Sequence, residues 1–167
     1  MLDQGVQPQW FAAYTRSHHE MTAAQHFASR QIEYFVPTYQ SVRIWKDRRK
    51  RLALPLFPGY VFVRVALDHR LGVLMVPGVV RLVGFNQPMP LPDAEIEMLR
   101  ILLNSRLAAE PHPYLAVGRR VQIMRGALQG LQGVLVRKKG RVRLLLSIDL
   151  IRKSALIELD SADVELL

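Results

Sequence analysis

The chain has 167 residues and no cysteine. Disulfides, thiolate metal sites and thiol catalysis are therefore excluded, and a reducing cytoplasm is the expected compartment. Acidic residues are scarce, 14 against 23 lysines and arginines, which leaves a formal charge of +9. That imbalance favours an anionic partner, either nucleic acid or an acidic protein surface. Long apolar runs are also missing, because prolines, glycines and arginines break each one before the roughly 20 residues a bilayer span requires. Met1-Leu2-Asp3-Gln4-Gly5 lacks the charged-then-apolar build of a signal peptide. A soluble protein that does not engage membranes is expected. Catalytic sets are absent as well. Gly126, Gly130 and Gly133 lack the Lys-Ser/Thr of a phosphate loop and the dinucleotide spacing. The acids are scattered, without a partner spacing for acid–base work. His18, His19 and His26 include no i, i+4 pair and no carboxylate to complete a metal set. No enzymatic activity, metal or cofactor is expected.

What is present is enough to fold. Half of the residues are hydrophobic, and the length suits one large domain or two small ones. Trp10 to Tyr14 reads as a strand. Ser17 and Glu20 form a capping-box pair before a helix over 18–30, with Met21, Ala24, Phe27 and Ala28 at helical spacing. Residues 32–36 read as a second strand, stopped by Pro37. Asp68 is placed to cap a short helix carrying Leu71, Leu74 and Met75. Residues 79–85 read as a strand, and Asp93 opens a helix with Ile96, Leu99, Leu102 and Leu103 on one side.

The central stretch is Pro55-Leu56-Phe57-Pro58-Gly59-Tyr60-Val61-Phe62-Val63-Arg64-Val65, a turn running into a strand of aromatic and β-branched residues. Alternation puts Phe57, Val61, Val63 and Val65 on one face and Tyr60, Phe62 and Arg64 on the other. Two rings and a cation on that second face suit either a strand packed on both sides or a strand that presents a binding patch. Just before it, residues 40–54 hold Arg43, Lys46, Arg48, Arg49, Lys50 and Arg51 against one acid, Asp47. This reads as a β-hairpin with a mobile charged tip. A solvated turn explains it in part, but like charges at that density repel and favour an anionic partner.

Pro111 and Pro113 make 108–116 the expected linker between domains at 1–107 and 117–167. Beyond it, 121–124, 133–137, 141–148, 155–159 and 164–166 read as five short strands, with Lys138-Lys139-Gly140 as a hairpin turn. Five short strands in about fifty residues suggest a small closed barrel. Helix is disfavoured there, since Gly126, Gly130, Gly133 and Gly140 each cost about 1 kcal/mol in a helix interior. The fold class is α+β: an N-terminal antiparallel sheet flanked by helices, plus a C-terminal β-barrel.

Leu56-Phe57-Pro58-Gly59-Tyr60-Val61-Phe62-Val63 resembles the central strand of the NusG family of transcription elongation factors. Trp10-Phe11-Ala12-Ala13-Tyr14 resembles that family's first strand, and Val76-Pro77-Gly78-Val79 a later turn. Gly126-Ala127-Leu128-Gln129-Gly130-Leu131-Gln132-Gly133-Val134 resembles its KOW motif. The basic stretch 43–51, Pro55-Leu56-Phe57-Pro58 and Val79-Val80-Arg81-Leu82-Val83-Gly84-Phe85 resemble the specialised RfaH- and LoaP-like antiterminators. The resemblance implies an NGN-type domain followed by a five-stranded, SH3-like KOW barrel. It implies a factor that binds RNA polymerase and regulates pausing and termination, as an antiterminator for particular operons. A KOW-type RNA-binding or ribosome-associated module is the alternative.

The resemblance also implies sites. Tyr14, Phe57, Pro58, Tyr60 and Phe62, with Val79 and Phe85 nearby, match the cavity that grips the clamp of the polymerase largest subunit. Arg16 and His26 match positions that contact nucleic acid of the transcription bubble, and His19 shares a helix face with His26. Thr22 stands where the family has an arginine, and Asp68-His69-Arg70 departs from the segment that touches the opposite jaw. Arg48, Arg49, Lys50 and Arg51 are expected to contact phosphates. Leu150 and Ile151 match the barrel loop that holds a small-subunit ribosomal protein or Rho, although burial in the barrel is their default reading. A monomer is expected. Its barrel is expected to rest as strands rather than as the helical hairpin that some RfaH-like relatives store.

Overall fold

The computed structural model describes residues 6–105, 107–115, 118–138 and 141–167. The chain divides into two compact units, one of residues 1–36 with 58–96 and one of residues 37–57 with 97–167.

The first unit is built on a four-stranded sheet in the order β2-β5-β1-β6, with β1 Gln9–Thr15, β2 Glu33–Phe35, β5 Tyr60–Val65 and β6 Val79–Leu82. Its pairings are antiparallel, and Tyr14 lies opposite Tyr60, Ala12 opposite Phe62 and Trp10 opposite Arg64. The expected alternation of β5 is therefore present. On one face Phe11, Ala13, Val61 and Val63 form a core with Ala23 and Phe27 of α1 Glu20–Ser29, and with Val73 of α2 Arg70–Leu74. On the other face Trp10, Ala12, Phe62 and Leu91 are buried, and Trp10 bridges to Leu91.

The helix starts differ from expectation. No side chain caps α1; His19 occupies the cap position, and the helix begins at Glu20. The Glu20 carboxylate points inward and accepts from the Gly59 N–H at 2.8 Å, so it serves a long-range contact in place of a capping box. The buried positions of α1 are Glu20, Ala23, Ala24 and Phe27, whereas Met21 is exposed. The buried stripe is thus centred on Ala23, Ala24 and Phe27, with Met21 and Ala28 at its exposed margins. Asp68 likewise caps nothing: it lies in a 3-10 turn, Leu67–His69, ahead of α2. Leu71 and Met75 are exposed, and Val73 is the buried residue of that helix.

The second unit contains a hairpin, the C-terminal strands and the end of α3 Asp93–Asn104. The hairpin pairs β3 Thr38–Trp45 with β4 Arg48–Pro55, leaving Lys46 and Asp47 as its turn. Lys46 adopts φ 44° there. The C-terminal strands are β7 Ala109–Pro113, β8 Arg120–Ile123, β9 Gln132–Lys138, β10 Arg141–Ile148, β11 Lys153–Leu159 and β12 Val164–Leu166. They form one antiparallel sheet in the order β12-β8-β9-β10-β11-β7. Five of them fall where expected, and the sixth, β7, arises in the expected connection. Its prolines are compatible with pairing because β7 ends the sheet, and an edge strand needs fewer backbone donors. Leu144, Leu145 and Leu146 are consecutive and all buried, which places β10 at the centre with both faces covered. Between residues 120 and 148 the described residues form strands and turns, as the glycine positions required. Lys139 and Gly140 lie outside the described residues, as do Met1 to Gly5.

Candidate protein-docking and nucleic-acid surfaces

The β1–β5–β6 register assembles a compact aromatic and cationic patch. Tyr14 faces Tyr60 across one ladder and Arg81 across the other. The two rings are 5.4 Å apart at their centroids and tilted by 52°. The Arg81 guanidinium carbon sits 5.6 Å from the centre of the Tyr14 ring, within cation–π range. Tyr14 is 37% exposed and Tyr60 half-buried. Burial holds the Tyr60 phenol above its ordinary pKa; the neighbouring Tyr14 adds to the rise and Arg81 opposes it.

Two glycine turns hold this patch. Gly59 has φ +90°, a conformation side chains rarely adopt, and the Thr15 N–H donates to its carbonyl at 2.8 Å. With the Glu20 contact on its own N–H, Gly59 ties β1, α1 and the start of β5 together just before Tyr60. Gly78 has φ +91° and lies so close to His19 that a Cβ would come within 2.9 Å of the His19 Cβ. Its carbonyl accepts from the Arg16 N–H at 2.8 Å. Arg81 pairs with Tyr14 directly, and the register shifts between Tyr14 and Thr15.

The other residues expected at this surface divide. Pro58 and Phe85 are exposed, Phe85 at 81%, and Val79 is half-buried. Phe57 and Phe62 are buried, at 1% and 0%. Phe62 stacks on Phe35 with centroids 6.3 Å apart. The expectation that Tyr60 and Phe62 jointly present an apolar patch is thus corrected: Tyr60 reaches the surface and Phe62 is core. Strand alternation assigns a face, but it does not say where along that face burial ends. Arg81, Glu20 and Gly59 were missed as site residues. Arg81 reaches Tyr14 only through the β1–β6 pairing, which no local pattern in the sequence shows.

Arg16 is exposed and His19 half-buried at the β1–α1 turn, where the Arg16 carbonyl accepts from the His19 N–H at 3.0 Å. The His19 Nδ1 is 2.8 Å from the Ser17 carbonyl. His26 is half-buried two turns along α1. Arg48, Arg49, Lys50 and Arg51 are all exposed, but they belong to strand β4 and not to a flexible tip. The two-residue turn is short enough that pairing continues to Trp45 and Arg48. In the second unit, Leu150 and Ile151 lie in a 3-10 turn, Asp149–Ile151. Ile151 is buried and Leu150 half-buried, so the pair offers no apolar contact at full exposure. The Tyr114 hydroxyl donates to the Asp149 carboxylate at 3.0 Å, and Arg152 lies 4.8 Å over the Tyr114 ring. Among the described residues no group of three or more His, Asp or Glu is placed to hold a metal ion. No helix among them is long and apolar enough to cross a membrane.

These features define an α+β protein whose distinctive surfaces suit docking to macromolecules. Residues 8–100 match the family model described as transcription termination factor nusG. The chain is 32% identical over 130 residues to the transcription termination/antitermination protein NusG of Helicobacter pylori strain J99, covering 70% of this chain and 74% of that one. It is 28% identical over 141 residues to the protein of the same name from Escherichia coli K12, covering 80% and 77%. A solved structure of Thermotoga maritima NusG shares the fold, with a TM-score of 0.57 at 22% identity over 95% of this chain and 97% of that one. The chain belongs to the NusG family.

Proposed function

We propose that this protein is a non-enzymatic transcription elongation factor that binds RNA polymerase and regulates pausing and termination. The observation that carries the reading is the paired, solvent-reaching Tyr14 and Tyr60 with Arg81 on a sheet that lies within the family match. Two rings on a rigid sheet can anchor a helix from a partner, and each ring buried contributes roughly 1.5–3 kcal/mol. The partner is the clamp of the polymerase largest subunit. Pro58, Val79 and Phe85 extend the contact, while Phe57 and Phe62 support it from within. A ligand that prefers the closed clamp shifts the clamp toward closure, and this suppresses pausing and termination. The basic hairpin supports a specialised role as antiterminator for particular operons.

Arg16, His19 and His26 form the face toward nucleic acid of the transcription bubble, and Arg48 to Arg51 add phosphate contacts. Functionally the chain comprises a polymerase-binding domain, 1–107, and a KOW domain, 117–167. Residues 108–116 connect them and contribute β7. The loop around Leu150 and Ile151 meets a small-subunit ribosomal protein or Rho. The protein works in the cytoplasm as a monomer, without cofactor.

Co-purification with polymerase tests this reading. Both rings are already partly buried, so the partner covers only the rest of each, and Tyr14→Ala/Tyr60→Ala is expected to weaken binding by about 2–3 kcal/mol, a loss of roughly 30- to 150-fold. Undiminished binding by a folded double variant contradicts it. Phe62 is left intact in this test because its burial would confound binding with folding.

A further inference from the structure

The β3–β4 hairpin has two unlike faces. Residues directly opposite in an antiparallel pair project to the same side. Trp45 with Arg48, Arg43 with Lys50, and Ser41 with Leu52 therefore share one face. Ile44 with Arg49 and Val42 with Arg51 share the other. Trp45 is 75% exposed, whereas the only other tryptophan, Trp10, is 4% exposed. An open groove of about 590 Å³ is lined by Arg43, Trp45, Arg48, Lys50 and Leu52 of the first face, together with Arg49 of the second. Six cations stand against one acid, Asp47, between residues 38 and 55. A large ring held among cations is a poor solvated turn and a poor core.

We infer that this groove binds an unpaired polynucleotide strand, with a base stacked on the Trp45 indole and phosphates on Arg43, Arg48 and Lys50. The charge complements a polyanion, and the indole selects a polyanion that carries free planar rings. A duplex keeps its bases stacked on each other and offers the indole no ring face. The indole meets a ring face and the cations meet phosphates, so neither contact calls for a 2′-hydroxyl. The strand is accordingly bound without regard to its sugar. Binding is indifferent to base identity for the same reason, since every base has a π-face. This inference rests on the nucleic-acid part of the proposed function and deepens it. It adds Trp45 and Arg43 to the contact and names the state of the nucleic acid.

Two readouts on the full chain, without polymerase, test it: tryptophan fluorescence reports stacking on Trp45, and anisotropy of end-labelled probes gives the affinity of wild type and variants alike. The probes are oligo(dT) and oligo(rU) of about a dozen nucleotides, a duplex of equal length, and an abasic strand of equal charge. Both oligonucleotides are expected to quench Trp45 with similar affinity, while the duplex and the abasic strand do not quench it. Trp45→Leu retains all six cations and is expected to bind oligo(dT) roughly 5- to 150-fold more weakly. Trp45→Phe keeps a ring and is expected to recover most of that loss. Circular dichroism confirms the fold of each variant. Equal binding of single strand, duplex and abasic strand without quenching overturns the stacking groove and leaves the phosphate contacts standing. No binding to any of the four probes overturns the groove together with the nucleic-acid reading. Unchanged affinity in Trp45→Leu, or more than about ten-fold preference for one sugar, also overturns the inference.

Discussion

Truncating Phe62 to alanine separates packing from docking at the candidate polymerase surface. Phe62 has no exposed surface, stacks on Phe35 at 6.3 Å and lies opposite Ala12 in the central ladder. Removing the ring forfeits its transfer free energy and leaves a cavity that a sheet flanked by bonded strands on both sides cannot close. Such losses amount to about 3–5 kcal/mol. A domain of this size has a total stability of roughly 5–15 kcal/mol, so the variant should stand near the edge of folding. Tyr60→Ala, two residues away on the same face, removes a ring that is only half-buried and should cost roughly half as much. Urea denaturation followed by far-ultraviolet circular dichroism gives both values. Phe62→Leu, which refills much of the space, should recover most of the stability. A Phe62→Ala unfolding free energy within about 1 kcal/mol of the parent chain would refute the buried placement and restore Phe62 as a surface contact.

Glu20→Ala leaves the Gly59 N–H without its acceptor and should destabilise by about 1.5–3 kcal/mol, measured by urea titration; Glu20→Gln should retain part of this because an amide oxygen still accepts. Gly78→Val places a branched side chain at φ +91° against His19, and a fall in thermal midpoint together with a changed His19 ring resonance in NMR is the expected result. The raised Tyr60 pKa means that folding favours the neutral phenol. Its stabilising contribution is complete below pH 10.0, the unfolded value, and is lost as pH rises through the higher folded value. Alkaline destabilisation should therefore be smaller in Tyr60→Phe, measured by urea midpoints at neutral pH and above pH 10. Replacing Arg48, Arg49, Lys50 and Arg51 with serine should flatten the salt dependence of nucleic-acid binding, and an unchanged slope would assign these residues to a merely solvated hairpin.

The elements that depend on local periodicity were legible in the chain, although the buried sides of α1 and α2 were misread at Met21, Leu71 and Met75. The alternation of β5, the stop at Pro37 and the short C-terminal strands needed only neighbouring residues. Misreadings occurred where a distant partner decides the outcome. Ser17 and Glu20 have the spacing of a capping box, but the Gly59 amide, 39 residues away, claims the Glu20 carboxylate. Pro111 and Pro113 have the composition of a linker, but β11 pairs with that segment as an edge strand. Arg48 to Arg51 look like a tip because charge clusters there, yet the turn needs only Lys46 and Asp47. The candidate site was half legible for the same reason. Tyr14 and Tyr60 lie in stretches that resemble the family's first and central strands, while Arg81 joins them only through the β1–β6 register.

The central claim is that Tyr14 and Tyr60 couple this protein to a transcribing polymerase. In vitro transcription on a template with a strong pause measures it directly. Wild-type protein should change the pause half-life, in the direction of shortening, and folded Tyr14→Ala/Tyr60→Ala at equal concentration should leave the half-life at its protein-free value. A wild-type chain without effect on pausing, or a double variant as active as wild type, would contradict the account.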